Sequence, residues 1–236
     1  IRDSIKDAFK NAQSLNSKNM VILECLLRAR QCMIWPQMYL NGVGVKNGTK
    51  PTKWEGRSNK METLFRMIQE HPKEKSLIFC QFRGEMNYIQ SQLDCPVFRI
   101  DGSVPKDERV RQINAFKSAA PGAVFIIQIK SGGQGLNLQD ATRVYITAPA
   151  WNTATELQAI GRSHRTGQTQ AVYVKKLVYK ECPRFVSVEE EMMALQGHKS
   201  IVCSEVLNDD RVKTQIPVNR TTAKISILDI KNIFRA

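Results

Sequence analysis

Ala123-Val124-Phe125-Ile126-Ile127-Gln128-Ile129 is an almost unbroken apolar run, of the kind that forms a strand buried on both faces of a sheet. Four more short apolar runs share its character: Ser76–Gln81, Val97–Ile100, Arg143–Ala148 and Ala171–Leu177. Between them the pattern changes to helical stretches near 60–71, 84–93, 105–118 and 153–162. Strands separated by helices of that length need crossover connections, so the expected fold is α/β, a parallel sheet with helices on both faces. Ligands of such sheets are expected at the carboxyl ends of the strands.

Outward from this centre the chain changes character. Residues 1 to about 40 read as helical, because Ile22, Leu23, Leu26, Leu27 and Ala29 recur at helical spacing until Trp35-Pro36 ends the pattern. A polar, glycine-rich stretch from Asn41 to about Ser58, with Lys46, Lys50, Lys53 and Arg57, is expected to be a loop. Beyond Ser187 an amphipathic helix is expected from Val188 to about Leu207, and 209–236 carries no clear pattern. The organisation read from this is a helical segment and basic loop over 1–58, a globular lobe over 59–186, and a C-terminal helix with a tail over 187–236.

The 236 residues are 42% hydrophobic and 24% charged, a globular composition. No apolar run reaches the roughly 20 residues that span a bilayer, and the first residues lack the apolar core of a signal peptide. An intracellular protein without a membrane partner is expected. Its six cysteines are scattered with no C-x-x-C pair, so reduced thiols and no metal site are expected. With 35 Lys and Arg against 22 Asp and Glu, the net charge is +13, which favours a polyanionic partner. Charge alone does not choose among DNA, RNA, an acidic protein and an anionic membrane.

Chemistry concentrates in Glu156-Leu157-Gln158-Ala159-Ile160-Gly161-Arg162-Ser163-His164-Arg165-Thr166-Gly167-Gln168. Read as helix, Arg162 and Arg165 share a face and can reach one point, with Gln158 a turn earlier and Gly161 leaving room for another backbone. Two planar guanidinium groups suit a phosphoryl group, although a lone R-x-x-R reads far better as a solvated helix end. The segment Lys130-Ser131-Gly132-Gly133-Gln134-Gly135-Leu136-Asn137-Leu138 is a glycine turn after a strand, able to show N–H groups to a phosphate or merely to turn tightly. Trp151-Asn152 ends the next strand, where the indole can pack on a sugar or base, or be buried.

Taken together these strings resemble the Swi/Snf branch of helicase superfamily two. Gln158 to Arg165 resembles motif VI, Q-x-x-G-R-x-x-R, and His164-Arg165-Thr166-Gly167-Gln168 the branch's H-R-I-G-Q. Gly132 to Leu138 resembles motif V, Ala148 to Asn152 the D-P-x-W-N string, and Leu77 to Phe82 motif IV, L-I-F-S-Q-F. Arg99-Ile100-Asp101-Gly102-Ser103 resembles the D-G-S turn, Ser58-Asn59-Lys60 the S-x-K entry, and Val188-Glu189-Glu190 the V-E-E brace. Leu26 to Cys32 resembles L-L-R-L-R-Q-x-C, closest in wording to the Rad5/Rad16-related branch. Two departures stand out: Ile129 where many members carry Thr, and Ala148 where an acidic residue is usual.

The resemblance implies the second RecA-like lobe of a DNA-dependent ATPase that translocates on double-stranded DNA and remodels protein–DNA complexes. Arg162, Arg165 and Gln158 then act on ATP, with Gly135, Asn137 and Gly161 facing the nucleotide. Gly102, Ser103, Lys130, Ser131, Trp151 and Asn152 face the DNA. Implied partners are duplex DNA, an N-terminal RecA-like lobe of the same protein, and nucleosomes or transcription and repair proteins. The implied setting is the nucleus of a eukaryote, or the site of viral DNA metabolism. ATP and Mg²⁺ are implied, held mainly by the first lobe. No G-x-x-x-x-G-K-[ST] loop is present here, and Asp107-Glu108 follows Pro105-Lys106 at a helix start, where acidic residues suit the helix dipole. The fragment alone is therefore expected to be inactive. Two alternatives stay open: a non-hydrolysing basic DNA-binding or scaffold module, and an RNA helicase lobe, which leaves Trp151-Asn152 and the His-Arg-Thr-Gly-Gln ending unexplained.

Overall fold

In the computed structural model the described residues are 15–131, 136–180, 187–194 and 196–197. They fall into two compact units, one from Glu55 to Val178 and one drawn from both flanks, 1–54 and 179–236.

The Glu55–Val178 unit is built as α3 (Asn59–Gln69), β1 (Ser76–Cys80), α4 (Arg83–Gln92), β2 (Val97–Ile100), α5 (Lys106–Ser118), β3 (Val124–Gln128), β4 (Arg143–Ile146), α6 (Thr153–Ile160) and β5 (Tyr173–Lys176). All five strands are parallel, in the order β2-β3-β1-β4-β5. Leu77 lies beside Phe125 and Val144, and Phe79 beside Ile127 and Ile146, so one row of side chains faces one side of the sheet. That row forms a cluster with Phe116 of α5 and Ala159 of α6. On the other side Tyr145 donates its hydroxyl to the Met67 carbonyl of α3 at 3.1 Å, and Phe65 of α3 packs 6.1 Å from Tyr88 of α4. Helices therefore cover both faces, and the runs were apolar throughout because neither face of the central strands meets water. Ser58 caps α3, and the buried Lys60 donates to the Leu177 carbonyl beyond β5 at 3.2 Å.

In the flanking unit α1 (Leu15–Ile34) and α2 (Pro36–Asn47) meet at Trp35, whose extended backbone and following proline separate the two helices. The expected loop from Asn41 is thus helical as far as Asn47. Its glycines serve close approach: a Cβ on Gly42 would lie 1.7 Å from the Arg28 guanidinium, and one on Gly44 2.9 Å from the Thr49 carbonyl. The helix stops at Gly48, where φ is +64°. Lys46 is paired with Glu24 at 3.0 Å. Residues 188–194 are helical, and Val188 and Met192 pack with Ile22 and Leu26 of α1. The rest of the expected C-terminal helix and the tail lie outside the described residues, apart from 196–197. Among the described residues, no helix is long and apolar enough to cross a membrane.

Candidate nucleotide and nucleic-acid faces

Each crossover in a parallel sheet leaves a strand at the carboxyl edge and returns by a helix that runs back to the amino edge. This simple geometry sorts the candidate residues into two groups.

The carboxyl edge receives Gly102 and Ser103 after β2, Lys130 and Ser131 after β3, and Trp151 and Asn152 after β4. The turn after β2 is organised by Asp101, whose buried carboxylate accepts from the Ser103 hydroxyl at 2.6 Å, the Ser103 N–H at 2.9 Å and Arg99 at 2.8 Å. Burial alone would oppose ionisation, yet the Ser103 and Arg99 donors outweigh it and hold Asp101 at about 2. Arg83 donates to the Ser103 hydroxyl at 3.1 Å. The Gly102 N–H and the Ser131 hydroxyl both donate to the Gln128 side-chain oxygen, while Lys130 is exposed. Trp151 is 41% exposed. Asn152 is the N-cap of α6, its side-chain oxygen accepting from Ala154 N–H at 3.0 Å. Ile129, in place of a hydroxyl residue, is buried in the core cluster, and Ala148 is fully buried below this edge.

Arg162 and Arg165 lie elsewhere. The helix expected to carry them ends at Ile160, and Gly161 to Gln168 form turns. These turns are stitched to the approach of β4: the Leu138 N–H donates to the Arg162 carbonyl at 3.0 Å, and the buried Ser163 hydroxyl donates to the Ala141 carbonyl. Gln139 donates to the Arg165 and Thr166 carbonyls at 3.3 and 2.9 Å, and Gln168 returns a bond to the Gln139 carbonyl at 2.7 Å. Ala141 precedes β4, so the arginine loop sits at the amino edge, not the carboxyl edge expected of a ligand site. The reason is that α6 has run the length of the sheet by the time the chain reaches Gly161. Gly161 also differs from expectation: a Cβ there would meet only the Leu157 and Gln158 carbonyls of its own helix, at 3.3 and 3.7 Å. Gln158 is exposed on α6, and Asn137 lines an amino-edge cleft of about 630 Å³ together with Gln139, Gly167 and Gln168. Gly135 lies outside the described residues.

The loop is electrostatically unbalanced. Arg162 is half-buried with its Nε shielded and without an acceptor, while Arg165 is exposed. Burial, and then the neighbouring Arg165 charge, lower the Arg162 guanidinium below its usual value. No carboxylate is paired with either group among the described residues. Also among the described residues, no cluster of three or more His, Cys, Asp or Glu is placed to hold a metal ion.

Three groups escaped the sequence reading, two of them buried and one half-buried. Glu85 of α4 is fully buried and caps the turn after β1, accepting from the N–H groups of Gln81 and Phe82. Glu156 of α6 accepts from Ala150 N–H and from Lys176, both at 2.7 Å. Arg109 of α5 binds the Val104, Asp101 and Ser131 carbonyls at 2.8, 3.2 and 3.3 Å. Glu85 and Glu156 had a visible signal, each a glutamate in the first turn of a helix.

Residues 59–167 match the helicase conserved C-terminal domain. Among relatives, the chain is 36% identical over 160 residues to "DNA repair protein RAD5" of Gibberella zeae, covering 66% of this chain and 13% of that one. It is 37% identical over 144 residues to "Helicase-like transcription factor" of Homo sapiens, covering 59% and 14%. The chain thus spans about a seventh of the length of these relatives. Among solved structures, the C-terminal part of the Fun30 ATPase domain superposes with a TM-score of 0.53 at 24% identity, over 82% of this chain and 64% of that one. The Sulfolobus solfataricus SWI2/SNF2 ATPase core, solved with double-stranded DNA, superposes with a TM-score of 0.60 at 23% identity, over 89% and 43%. The likeness to these two structures establishes a RecA-like fold.

Proposed function

With the chain a member of the Swi/Snf family of helicase superfamily two, its second RecA-like lobe related to Rad5, we propose that it forms the nucleotide-sensing half of a DNA-dependent ATPase that translocates on duplex DNA and remodels protein–DNA complexes. The amino-edge loop completes an ATP site whose phosphate-binding loop and Mg²⁺ ligands belong to a first lobe outside this sequence. Arg162 and Arg165 meet the charge that develops on the γ-phosphate, with Gln158 ordering its surroundings and Gly135, Asn137 and Gly161 lining the approach. The carboxyl edge, through Gly102, Ser103, Lys130, Ser131, Trp151 and Asn152, holds phosphates and sugars of DNA.

One observation carries this reading. Two guanidinium groups are held close together, one of them partly desolvated and lacking an acceptor, by a loop clamped through its backbone. A fold gains nothing from crowding two cations, and the arrangement is stable once an anion with several acceptor oxygens lies between them. A triphosphate is such an anion, and the separation of the two edges explains how one lobe grips DNA while sensing nucleotide. Opening and closing against the first lobe then moves the DNA grip. The named relatives are eukaryotic, which supports a nuclear setting over a viral one.

Arg165→Ala in the whole protein tests the proposal. DNA-stimulated ATP turnover is expected to fall by roughly 10³–10⁵, the range attributed to arginine fingers, with duplex binding and thermal stability nearly intact. Turnover at the unmodified level removes the arginines from catalysis.

A further inference from the structure

The carboxyl edge holds an arrangement that the proposed DNA contacts do not explain. At the end of β3, the side-chain oxygen of Gln128 accepts from Gly102 N–H at 3.2 Å and from the Ser131 hydroxyl at 3.3 Å. Two donors on turns that follow different strands therefore converge on one atom. Its identity is dictated by chemistry, since a backbone N–H can only donate and the carboxamide must turn its carbonyl toward Gly102. A backbone N–H and a hydroxyl meeting at strand ends form the donor set that a phosphodiester oxygen takes.

The surroundings are cationic and open. Lys130 is exposed beside Ser131, and the side chain of Arg83 is 59% exposed while touching the Ser103 hydroxyl. Arg109 lends its charge to the carbonyls of Asp101, Val104 and Ser131, and among the described residues no carboxylate is paired with it. Gly102 is exposed, and a Cβ there would meet only Ser131 Oγ and Gln128 Oε1 at ordinary contact distances of 3.6 and 3.8 Å. Arg109 and Gln128 together hold the two turns in register, with the donors aimed at a shared point.

We propose that the Gln128 carboxamide is an internal stand-in for a phosphodiester oxygen, occupying the Gly102 and Ser131 donors in the DNA-free protein and swinging aside when a backbone phosphate takes them. This rests on the reading of the carboxyl edge as the DNA face. The phosphate wins the exchange because charge-assisted bonds are roughly twice as strong as neutral ones. On release the donors return to Gln128 and are not left bare, so letting go of one phosphate costs less than it would from an unsatisfied pair. The device weakens the grip and eases its release, which suits a lobe that must exchange one phosphate for the next.

Binding of a short fluorescent DNA duplex to the full chain, followed by anisotropy, tests this. Gln128→Met keeps length and removes the acceptor, and it is expected to bind about three- to tenfold tighter, the worth of about one hydrogen bond. Gln128→Glu places a fixed anion on the same donors and is expected to bind at least about tenfold more weakly. Ser131→Ala in the Gln128→Met background is expected to cancel most of the gain. Gln128→Ala is the second acceptor-free variant, and it decides the matter if the methionine variant does not fold, as judged by circular dichroism. Acceptor-free variants that bind no tighter than an unmodified chain that itself binds DNA overturn the stand-in and leave the DNA face in place. Absence of duplex binding by every form overturns the DNA face, and this proposal with it.

Discussion

Replacing Glu85 by glutamine is expected to stabilise the protein in a manner that grows with pH. Glu85 is fully buried, with Oε1 accepting from two backbone N–H groups and Oε2 shielded from solvent. Burial raises its carboxyl from an ordinary 4.5 to about 7, although the Phe82 and Gln81 N–H groups favour the anion. A carboxyl raised on folding contributes fully below its unfolded value and loses that contribution as pH climbs through the folded value. At about 1.4 kcal/mol per unit, the difference between pH 4.5 and neutrality amounts to on the order of 3 kcal/mol. Glutamine keeps the accepting oxygen and does not ionise. At pH 5 the variant and the unmodified protein are expected to differ by no more than about 1 kcal/mol, because Glu85 is then protonated in the folded state and only partly ionised in the unfolded one. By pH 8 the variant is expected to melt higher by roughly 5–10 °C, using about 2–4 °C per kcal/mol for a chain of this size. Thermal melts between pH 5 and 9, followed by circular dichroism, measure the difference. A constant offset across that range refutes the assignment of the titration to Glu85, and a variant that is less stable at pH 8 refutes the cost of burying the anion.

Glu74 is the opposite case. Arg143 binds it twice at 2.8 Å and holds it at about 2, so its contribution is present at neutral pH and lost as pH falls from 4.5 toward 2. Because the carboxylate is a third exposed, Glu74→Gln is expected to cost only about 1 kcal/mol and to flatten the acid limb of urea melts; an unchanged acid limb counts against the pair. Ser163→Ala removes the buried hydroxyl that ties the arginine loop to Ala141, at a cost of about 1–2 kcal/mol. In the whole protein it is expected to lower ATP turnover further than the loss of folded protein explains, and an unaltered kcat in the folded fraction shows that the tie does not position the arginines. Duplex binding is expected to weaken linearly with the logarithm of salt, and Lys130→Ala to reduce that slope by about one; equal slopes remove Lys130 from the phosphate contacts.

Much of the architecture was readable before any coordinates. All five apolar runs became strands and each helical stretch between them became a helix; the central strands β1, β3 and β4 are covered on both faces and so read as apolar, while the edge strand β5 is exposed and carries Lys175 and Lys176. The glycines at 42 and 44 misled for a physical reason: glycine marks either a turn or a close contact, and only the positions of Arg28 beside Gly42 and of Thr49 beside Gly44 distinguish the two. Glu85 and Glu156 showed only the local sign of a glutamate in a first helical turn; their burial, and the Lys176 partner of Glu156, depend on packing that local pattern does not reveal.

The order of runs, helices and motif strings sufficed to specify a parallel α/β lobe and to pick out two arginines as unusual, since periodicity and residue chemistry are local properties. Which edge of the sheet those arginines occupy was settled by the crossover, which carries anything after α6 away from the strand ends that gather Gly102, Ser131 and Trp151. Distance across a folded sheet has no counterpart in distance along the chain, and that is why only tertiary structure could separate the edge that carries Arg162 and Arg165 from the edge that gathers Gly102 and Ser131, and bring Gln128 to the donors of both turns.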